Sequence, residues 1–241
     1  MTKPIIAIVG PTASGKTDLG LFLAKELNGE IISADSMQVY EGLDIGTAKI
    51  KPEARTVPHH LIDVVKPDIN FSVADYHQLA EKAILDIRKR GKRPIFVGGT
   101  GLYLQSVLDG LLFPEPNKDE RLRHKLLTEA KELGNEYMFR RLLNCDKESA
   151  RKIHPNDIRR IIRALEVYIK TGIPLSKLQE EYKELKPRYE TIWIGITAPR
   201  DVLYQRIDKR VEAMLSEGLL EEVKKHYLSG LRPTSTAYQA L

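Results

Sequence analysis

The chain opens on an unbroken apolar run, Ile5-Ile6-Ala7-Ile8-Val9, and after a polar stretch Leu19, Phe22, Leu23 and Leu27 recur at helical spacing. A run without alternation predicts a strand buried on both sides, and the recurrence predicts an amphipathic helix beside it. Glu30-Ile31-Ile32-Ser33 predicts a second short strand, Arg93-Pro94-Ile95-Phe96-Val97 a further buried strand, and Thr191-Ile192-Trp193-Ile194-Gly195-Ile196-Thr197 another. Ser72-Val73-Ala74-Asp75 has the form of a capping box, and Tyr76, Leu79, Ala80, Ala83, Ile84 and Ile87 continue it as a helix that Gly91 stops. His59-His60 reads as extended chain, which turns adjacent side chains to opposite sides; with no cysteine or carboxylate cluster joining them, both are expected to be structural. Strands alternating with helices predict a parallel sheet whose ligand crevice lies at the C-terminal strand ends.

From Pro114 the texture changes. Pro114 and Pro116 mark a linker, and residues 117–187 are charge-rich, helical and without a convincing strand. Leu122, Leu126, Leu127, Ala130 and Leu133 predict one amphipathic helix, and Met138, Leu142 and Leu143 a shorter second one. An Asn156 or Asp157 cap then opens a helix with Ile158, Ile161, Ile162, Leu165 and Ile169 inside, closed by Gly172 and Pro174. After the strand at 191–197, a helix beyond Pro199 is expected to bury Leu203, Ile207, Val211, Met214 and Leu215, and a last one spans Leu219 to Leu228. The fold class is therefore α/β: a P-loop NTPase-like parallel sheet core, residues 1–113 and 190–241, carrying an inserted all-helical subdomain at residues 114–189.

Composition narrows the setting. A chain of 241 residues with 42% hydrophobic and 29% charged positions is that of a globular protein, and no apolar run is long enough to cross a bilayer. The start lacks the basic segment and long apolar stretch of a signal peptide, so a cytoplasmic location and no membrane partner are expected. One cysteine, Cys145, excludes an internal disulfide. The net charge of +5 permits a nucleic-acid partner without demanding one.

The chemistry is concentrated at strand ends. Gly10-Pro11-Thr12-Ala13-Ser14-Gly15-Lys16-Thr17, set between a strand and a helix, is a Walker A loop: its backbone N–H groups turn inward, and the helix dipole adds positive potential. Lys16 is placed to reach terminal phosphates and the Thr17 hydroxyl to ligate magnesium. Asp35 follows the second strand and has three open roles: magnesium ligand, general base, or cap of the next turn. Gly98-Gly99-Thr100-Gly101 lets a ligand approach the backbone and leaves Thr100 polar at the crevice. Arg206 and Arg210 lie one turn apart, suited to neutralising a diphosphate. Arg159, Arg160, Arg163 and Lys170 form a charged face that is either simply solvated or a clamp for an RNA backbone. On residues alone, a small-molecule kinase and a different phosphate-handling transferase both stand.

Taken together, Gly10 to Thr17, Asp35-Ser36-Met37-Gln38-Val39-Tyr40, Pro58-His59-His60-Leu61-Ile62-Asp63, Gly98 to Tyr103, Ile153-His154-Pro155-Asn156-Asp157 and Arg206 to Val211 resemble, in order and over almost the whole length, the signatures of the tRNA dimethylallyltransferase (isopentenyltransferase) family. The Walker A loop alone is shared by very many enzymes, ATP-binding ones included; the ordered set is far more specific. The resemblance implies transfer of a dimethylallyl group from dimethylallyl diphosphate to the exocyclic amine of the adenosine 3′ of a tRNA anticodon, with Mg2+ as the metal and a monomeric enzyme. It implies that Gly10, Thr12, Ala13, Ser14, Gly15, Lys16, Thr17 and Arg210 bind diphosphate, that Asp35 takes the amine proton, and that Thr100 holds the amine in line. It also assigns tRNA contact to Asp35, Ser36, Met37, Gln38 and Thr100, to Arg123, and to the segment Arg159-Arg160-Ile161-Ile162-Arg163. Two rivals keep the loop and change the acceptor: an adenylate isopentenyltransferase acting on a free nucleotide, and a kinase. A third is a non-catalytic RNA-binding module. Family members continue past Ala237-Tyr238-Gln239-Ala240-Leu241 into a further basic helical stretch.

Overall fold

The computed structural model describes residues 3–110, 119–183, 187–230, 234 and 236–240. Their strands and helices run β1 (Ile5–Val9), α1 (Lys16–Glu26), β2 (Gly29–Ser33), β3 (His59–His60), α2 (Val73–Lys89), β4 (Arg93–Gly98), α3 (Gly101–Leu108), α4 (Glu120–Cys145), α5 (Lys147–Lys152), α6 (Ile158–Thr171), α7 (Leu175–Lys183), β5 (Thr191–Gly195), α8 (Arg200–Ser216) and α9 (Leu219–Leu228). The chain divides into two compact units, one of Met1–Asp109 with Pro187–Leu241 and one of Gly110–Lys186.

In the first unit the strands form one sheet, ordered β3-β2-β4-β1-β5 and parallel throughout. The apolar runs explain it: successive residues alternate faces, and both faces are apolar. Ile5, Ala7, Ile32 and Phe96 face a core with Tyr76, Ile84 and Ile87 of α2 and Leu104 and Leu108 of α3. Ile6, Ile8, Ile31 and Ile95 face the other side, where Leu19, Leu23 and Ala24 of α1 pack. Each such aliphatic side chain taken out of water contributes about 1.5–3 kcal/mol. The capping box of α2 forms as its residues predict: the Asp75 N–H donates to Ser72 Oγ at 3.3 Å, and the Ser72 N–H donates to Asp75 Oδ2 at 2.8 Å.

Three helical and strand faces depart from their apolar patterns. On α1 the buried residues are Gly20 and Ala24, and Phe22 is 60% exposed. The helix lies so close to β4 that a Cβ on Gly20 would meet Val97 Cγ2 at 2.6 Å, so small residues hold the contact and Phe22 is turned out. β5 is an edge strand paired only with β1, which leaves Ile192 and Trp193 exposed rather than buried. On α8 only Leu203 is buried, and Val211 and Leu215 are exposed.

The unit boundaries fall a few residues before the expected 113/114 and 189/190. The Arg188 N–H donates to the Leu108 carbonyl at 3.1 Å, Tyr189 Oη donates to Glu81 Oε2 at 2.7 Å, and the Tyr189 ring packs on the sheet's core. These contacts bind 187–189 to the sheet unit. The linker expected at Pro114 and Pro116 lies outside the described residues.

The helical unit has its own core of Leu126, Ala130, Met138, Leu142, Ala150, Ile161, Ile162, Ala164 and Leu165. Gly134, at φ 82° and ψ 164°, breaks α4 into the two helical stretches its pattern predicts. Leu127, Leu133, Leu143 and Ile169, assigned to the inner faces from sequence, are exposed. Asp146 ties the small helices together: one oxygen accepts from the Ser149 N–H at 2.9 Å and Ser176 Oγ at 2.6 Å, the other from Ser149 Oγ at 2.6 Å and the Ser176 N–H at 2.9 Å. One buried carboxylate thus serves the first turns of both α5 and α7.

Candidate active site

The loops leaving β1, β2 and β4 open side by side at the C-terminal edge of the sheet, the place where parallel sheets bind ligands. The first curls as its glycines and small residues require. Gly15 caps α1 in the left-handed region at φ 93°, and Ala13 is held there too, at φ 61°. A non-glycine in that region costs of order 1–3 kcal/mol and is found where a site fixes the backbone. Lys16 Nζ donates to the Pro11 carbonyl at 2.6 Å, and Arg206 Nη1 donates to the Ala13 carbonyl at 3.3 Å. The Ser14 hydroxyl is buried with no partner among the described residues.

The second loop is a turn built on Asp35. Asp35 Oδ1 accepts from the Met37 N–H at 2.9 Å and more weakly from the Gln38 N–H at 3.4 Å, which gives Asp35 the turn-capping role while its other oxygen takes no hydrogen bond among the described residues. Gln38 is clamped: Ser33 Oγ donates to its Oε1 at 2.9 Å, and its Nε2 donates to the carbonyls of Thr47 and Ala48 at 3.3 and 3.4 Å. The third loop braces the second. Thr100 Oγ1 accepts from the Ser36 N–H at 3.0 Å, and the Thr100 N–H donates to the Ala34 carbonyl at 3.0 Å. Gly98 permits this approach, because a Cβ there would sit 2.1 Å from the Ala34 carbonyl oxygen.

Between these loops lies a cavity of about 610 Å³, lined by residues 12–18, Asp35, Gln38, Arg206 and Arg210, with Ile31, Ile50, Ile62 and Val97 as an apolar wall. Thr12, Ala13, Ser14, Gly15, Lys16, Thr17, Asp35, Gln38 and Arg210 are thereby brought together around one cavity. Gly10, Ser36, Met37 and Thr100 stand outside the lining and shape the loops behind it. Burial lowers the Lys16 ammonium below its ordinary value, the Asp35 charge opposes this, and the Arg210 charge adds to it. Burial likewise lowers Arg210, again opposed by Asp35. Two partly desolvated cations facing one carboxylate favour a polyanion over a single negative charge.

His59 and His60 part as adjacent residues of a strand must. His60 Nε2 bonds the buried Glu30 Oε2 at 2.7 Å, and the partly exposed Arg90 and Lys92 meet the same carboxylate. His59 also lines the cavity: its Nδ1 donates to the Val57 carbonyl at 2.8 Å, and its Nε2 is buried with no partner among the described residues. Burial lowers the His59 pKa, the Val57 bond opposes this, and the charges of Arg55 and His60 lower it further. Sequence reasoning missed His59 and the isoleucine wall, since an apolar strand residue near its C-terminal end has the same signature whether it meets a helix or a ligand.

In the helical unit, Arg123 Nη2 and Arg163 Nη1 converge on Glu166 Oε2 at 2.7 and 3.3 Å, and Arg160 pairs with Asp157 at 3.3 Å. Arg159 is exposed on the same helix. Ile161 and Ile162, 0% and 3% exposed, belong to the core of the unit, so their side chains are withdrawn as RNA contacts.

Among the described residues no group of three or more His, Cys, Asp or Glu is placed to hold a metal. The donors at the cavity, the Thr17 hydroxyl and the Asp35 carboxylate, suit a hard cation that takes most of its oxygens from a phosphate ligand and water, as magnesium does.

The sequence profile of the IPP transferase family matches residues 38–241. The tRNA dimethylallyltransferase of Halothermothrix orenii is 49% identical over 240 residues, covering 98% of this chain and 73% of its own. That of Carboxydothermus hydrogenoformans is 51% identical over 242 residues, covering 100% and 78%. Among solved structures, the tRNA isopentenylpyrophosphate transferase of Bacillus halodurans superposes with a TM-score of 0.67 at 45% identity, over 98% of this chain and 73% of that one. A eukaryotic dimethylallyltransferase captured acting on tRNA gives a TM-score of 0.83 at 36% identity, over 94% and 56%. With a family match over most of the chain and relatives about half identical over nearly all of it, the chain belongs to the IPP transferase family.

Proposed function

We propose that the chain transfers the dimethylallyl group of dimethylallyl diphosphate to the N6 amine of the adenosine 3′ of the anticodon in tRNA, releasing diphosphate, in the cytoplasm. The observation that carries this is one cavity lined both by the phosphate loop with Lys16, Arg206 and Arg210 and by Asp35 and the apolar side chains Ile31, Ile50, Ile62 and Val97. That pairing suits a molecule with a diphosphate head and a hydrocarbon tail, and the family names of the relatives agree with it.

The adenine amine is a weak nucleophile because its lone pair is delocalised into the ring. Its nitrogen forms the new C–N bond to the allylic carbon as the C–O bond breaks, the electron pair leaves on diphosphate, and the amine proton passes to Asp35. The loop Gly10 to Thr17 holds the diphosphate. Lys16 and Arg210 offset the charge that gathers on it as it departs, so they act more strongly on the transition state than on the bound donor. Ile31, Ile50, Ile62 and Val97 hold the hydrocarbon and exclude water from the allylic cation-like carbon. Thr100 and Ser36 keep the Asp35 carboxylate aimed at the amine, a positioned base being worth about 10²- to 10⁴-fold in rate. Thr17 would hold magnesium, which when bound would supply further positive charge at the leaving group. The helical unit, with Arg123, Arg159, Arg160 and Arg163, grips the RNA backbone, and contacts of this kind offset the few kcal/mol of extruding the base from the anticodon loop.

Radiolabelled dimethylallyl diphosphate offered together with an anticodon stem-loop and with AMP tests the proposal. Label is expected on the stem-loop adenosine, lost in Asp35→Asn while pyrophosphate affinity is kept. Equal labelling of AMP, or transfer of phosphate from ATP with no prenylation, overturns it.

A further inference from the structure

A carboxylate outside the cavity lining holds the loop that carries the Gln38 clamp. Glu222, on α9, accepts through Oε2 from the N–H groups of Asp44 and Ile45, each at 2.8 Å, and through Oε1 from the N–H of Gly46 at 3.0 Å. Three successive backbone donors turned onto one anion form a nest, and each bond to an ionised acceptor is stronger than a neutral one. One turn further along α9, His226 Nε2 donates to the Gly42 carbonyl at 2.7 Å, so the helix grips the same loop at two points. Lys49 closes the loop from within, where it is nearly fully buried and donates to the Tyr40 carbonyl and to the carboxylates of Asp44 and Asp63. Thr47 Oγ1 donates to the Leu43 carbonyl.

The consequence runs to the site in two steps. The residues that follow the nest are Thr47 and Ala48, both lining the cavity, and their carbonyls are the acceptors that fix the amide of Gln38. Gln38 closes the turn whose other end is Asp35, and its carbonyl accepts from the Asp63 N–H at 3.1 Å. Lys49, Thr47 and His226 hold the rest of loop 41–49, and Glu222 is the group that takes up the three N–H donors of the nest itself.

We propose that Glu222 is a positioning residue for the acceptor side of the reaction: by holding the Asp44–Gly46 amides it sets the Thr47 and Ala48 carbonyls, and through them the orientation of Gln38 beside Asp35. This rests on the transfer reaction proposed above. The phosphate loop Gly10 to Thr17 makes no hydrogen bond to Glu222, so the effect of Glu222 is expected on acceptor use ahead of diphosphate binding.

The tests are Glu222→Gln, which keeps size and one acceptor oxygen but removes the charge, and Glu222→Asp, which keeps the charge on a shorter arm. For Glu222→Gln the expected result is inorganic pyrophosphate affinity within twofold of the parent, kcat for stem-loop prenylation down about tenfold or more, acceptor KM raised, and a shifted NMR resonance for the Gln38 side-chain amide. Glu222→Asp should recover part of the kcat loss. Unchanged kcat and KM, or a loss of pyrophosphate affinity in step with a fall in Tm, overturns the proposal, the second outcome marking Glu222 as a general fold contact. If the parent enzyme prenylates nothing, the reaction assigned above falls, and the Gln38 resonance then decides alone: moved, the positioning stands; unmoved, it fails.

Discussion

Placing one methyl group on Gly98 tests the link between the sheet and the chemistry. In Gly98→Ala the new carbon would stand 2.1 Å from the Ala34 carbonyl oxygen, 2.4 Å from its carbon and 2.8 Å from Ala34 Cα, all backbone atoms that no rotamer can move. Reaching ordinary contact requires the ends of β2 and β4 to part by about 1 Å. What parts is specific. The Ala34 N–H donates to Val97 at 2.9 Å, its carbonyl accepts from the Thr100 N–H at 3.0 Å, and Thr100 braces Ser36, so the Asp35 turn moves as a piece. The stability cost is that of overpacking, about 1–3 kcal/mol, which a domain with two packed sheet faces should survive. The catalytic cost is larger, because a misplacement of about 1 Å in a positioned group costs about 100-fold. Single-turnover prenylation should slow by about that factor, with pyrophosphate affinity within about threefold, since the Gly10 to Thr17 loop is anchored on β1. A folded Gly98→Ala enzyme that turns over within threefold of the parent would show that the β2–β4 approach does not set the Asp35 geometry.

Other consequences follow from charged groups away from the cavity. Burial alone raises the Glu30 carboxyl, but hydrogen bonds from Arg90, His60 and Lys92 outweigh it and pull it down to about 2 from the ordinary 4.5. A depressed carboxyl stabilises the fold above its unfolded value, and that stabilisation is lost as pH falls from about 4.5 toward 2; it is worth on the order of 3 kcal/mol at most. Glu30→Gln should therefore lower Tm at pH 7 and flatten its decline across that window, read by thermal melts at each pH. Asp146→Asn replaces an acceptor of four hydrogen bonds with one that presents an NH2 to two of those donors, and should destabilise the helical unit by about 3 kcal/mol, seen as loss of its cooperative melting. Arg159→Ala with Arg160→Ala should weaken stem-loop binding severalfold and lower the salt slope of log K by about one for each RNA phosphate no longer neutralised, measured by titration from low to moderate salt.

What could be read from the chain depended on how far apart the partners lie in sequence. The phosphate loop is local, since its glycines, Lys16 and Thr17 are fixed by the strand before and the helix after, and so it was legible residue by residue. Asp35 and Thr100 were legible as polar groups at strand ends, but that Thr100 braces Ser36 needs β2 and β4 to be neighbours, and no spacing says so. Apolar periodicity located the helices and misplaced several of their faces: it turned Phe22 inward, where the closeness of Val97 to Gly20 leaves room only for small residues. It buried Trp193, which an edge strand leaves exposed. His59 has no signal in the sequence beyond possible metal binding, and that it lines the cavity follows only from the fold. Glu222 lies more than 170 residues from each of its partners and had no signal at all.

The same phosphate loop serves enzymes that attack phosphorus and, here, one that is proposed to attack carbon, and electrostatics explains why no redesign of the loop is needed. In either reaction negative charge gathers on a phosphate oxygen as its bond breaks, and a ring of N–H groups with Lys16 and Arg210 lowers the cost of that charge whichever atom departs. The reaction is therefore chosen across the cavity from the loop. A phosphoryl acceptor needs a polar berth that brings a hydroxyl in line with the terminal phosphorus. Here Ile31, Ile50, Ile62 and Val97 line part of the cavity that also holds Asp35 and Gln38, an apolar surface suited to an allylic carbon. Replacing that wall with polar residues of equal size, rather than altering the loop, is the change that should let water compete for the allyl carbon and turn transfer into hydrolysis of the donor.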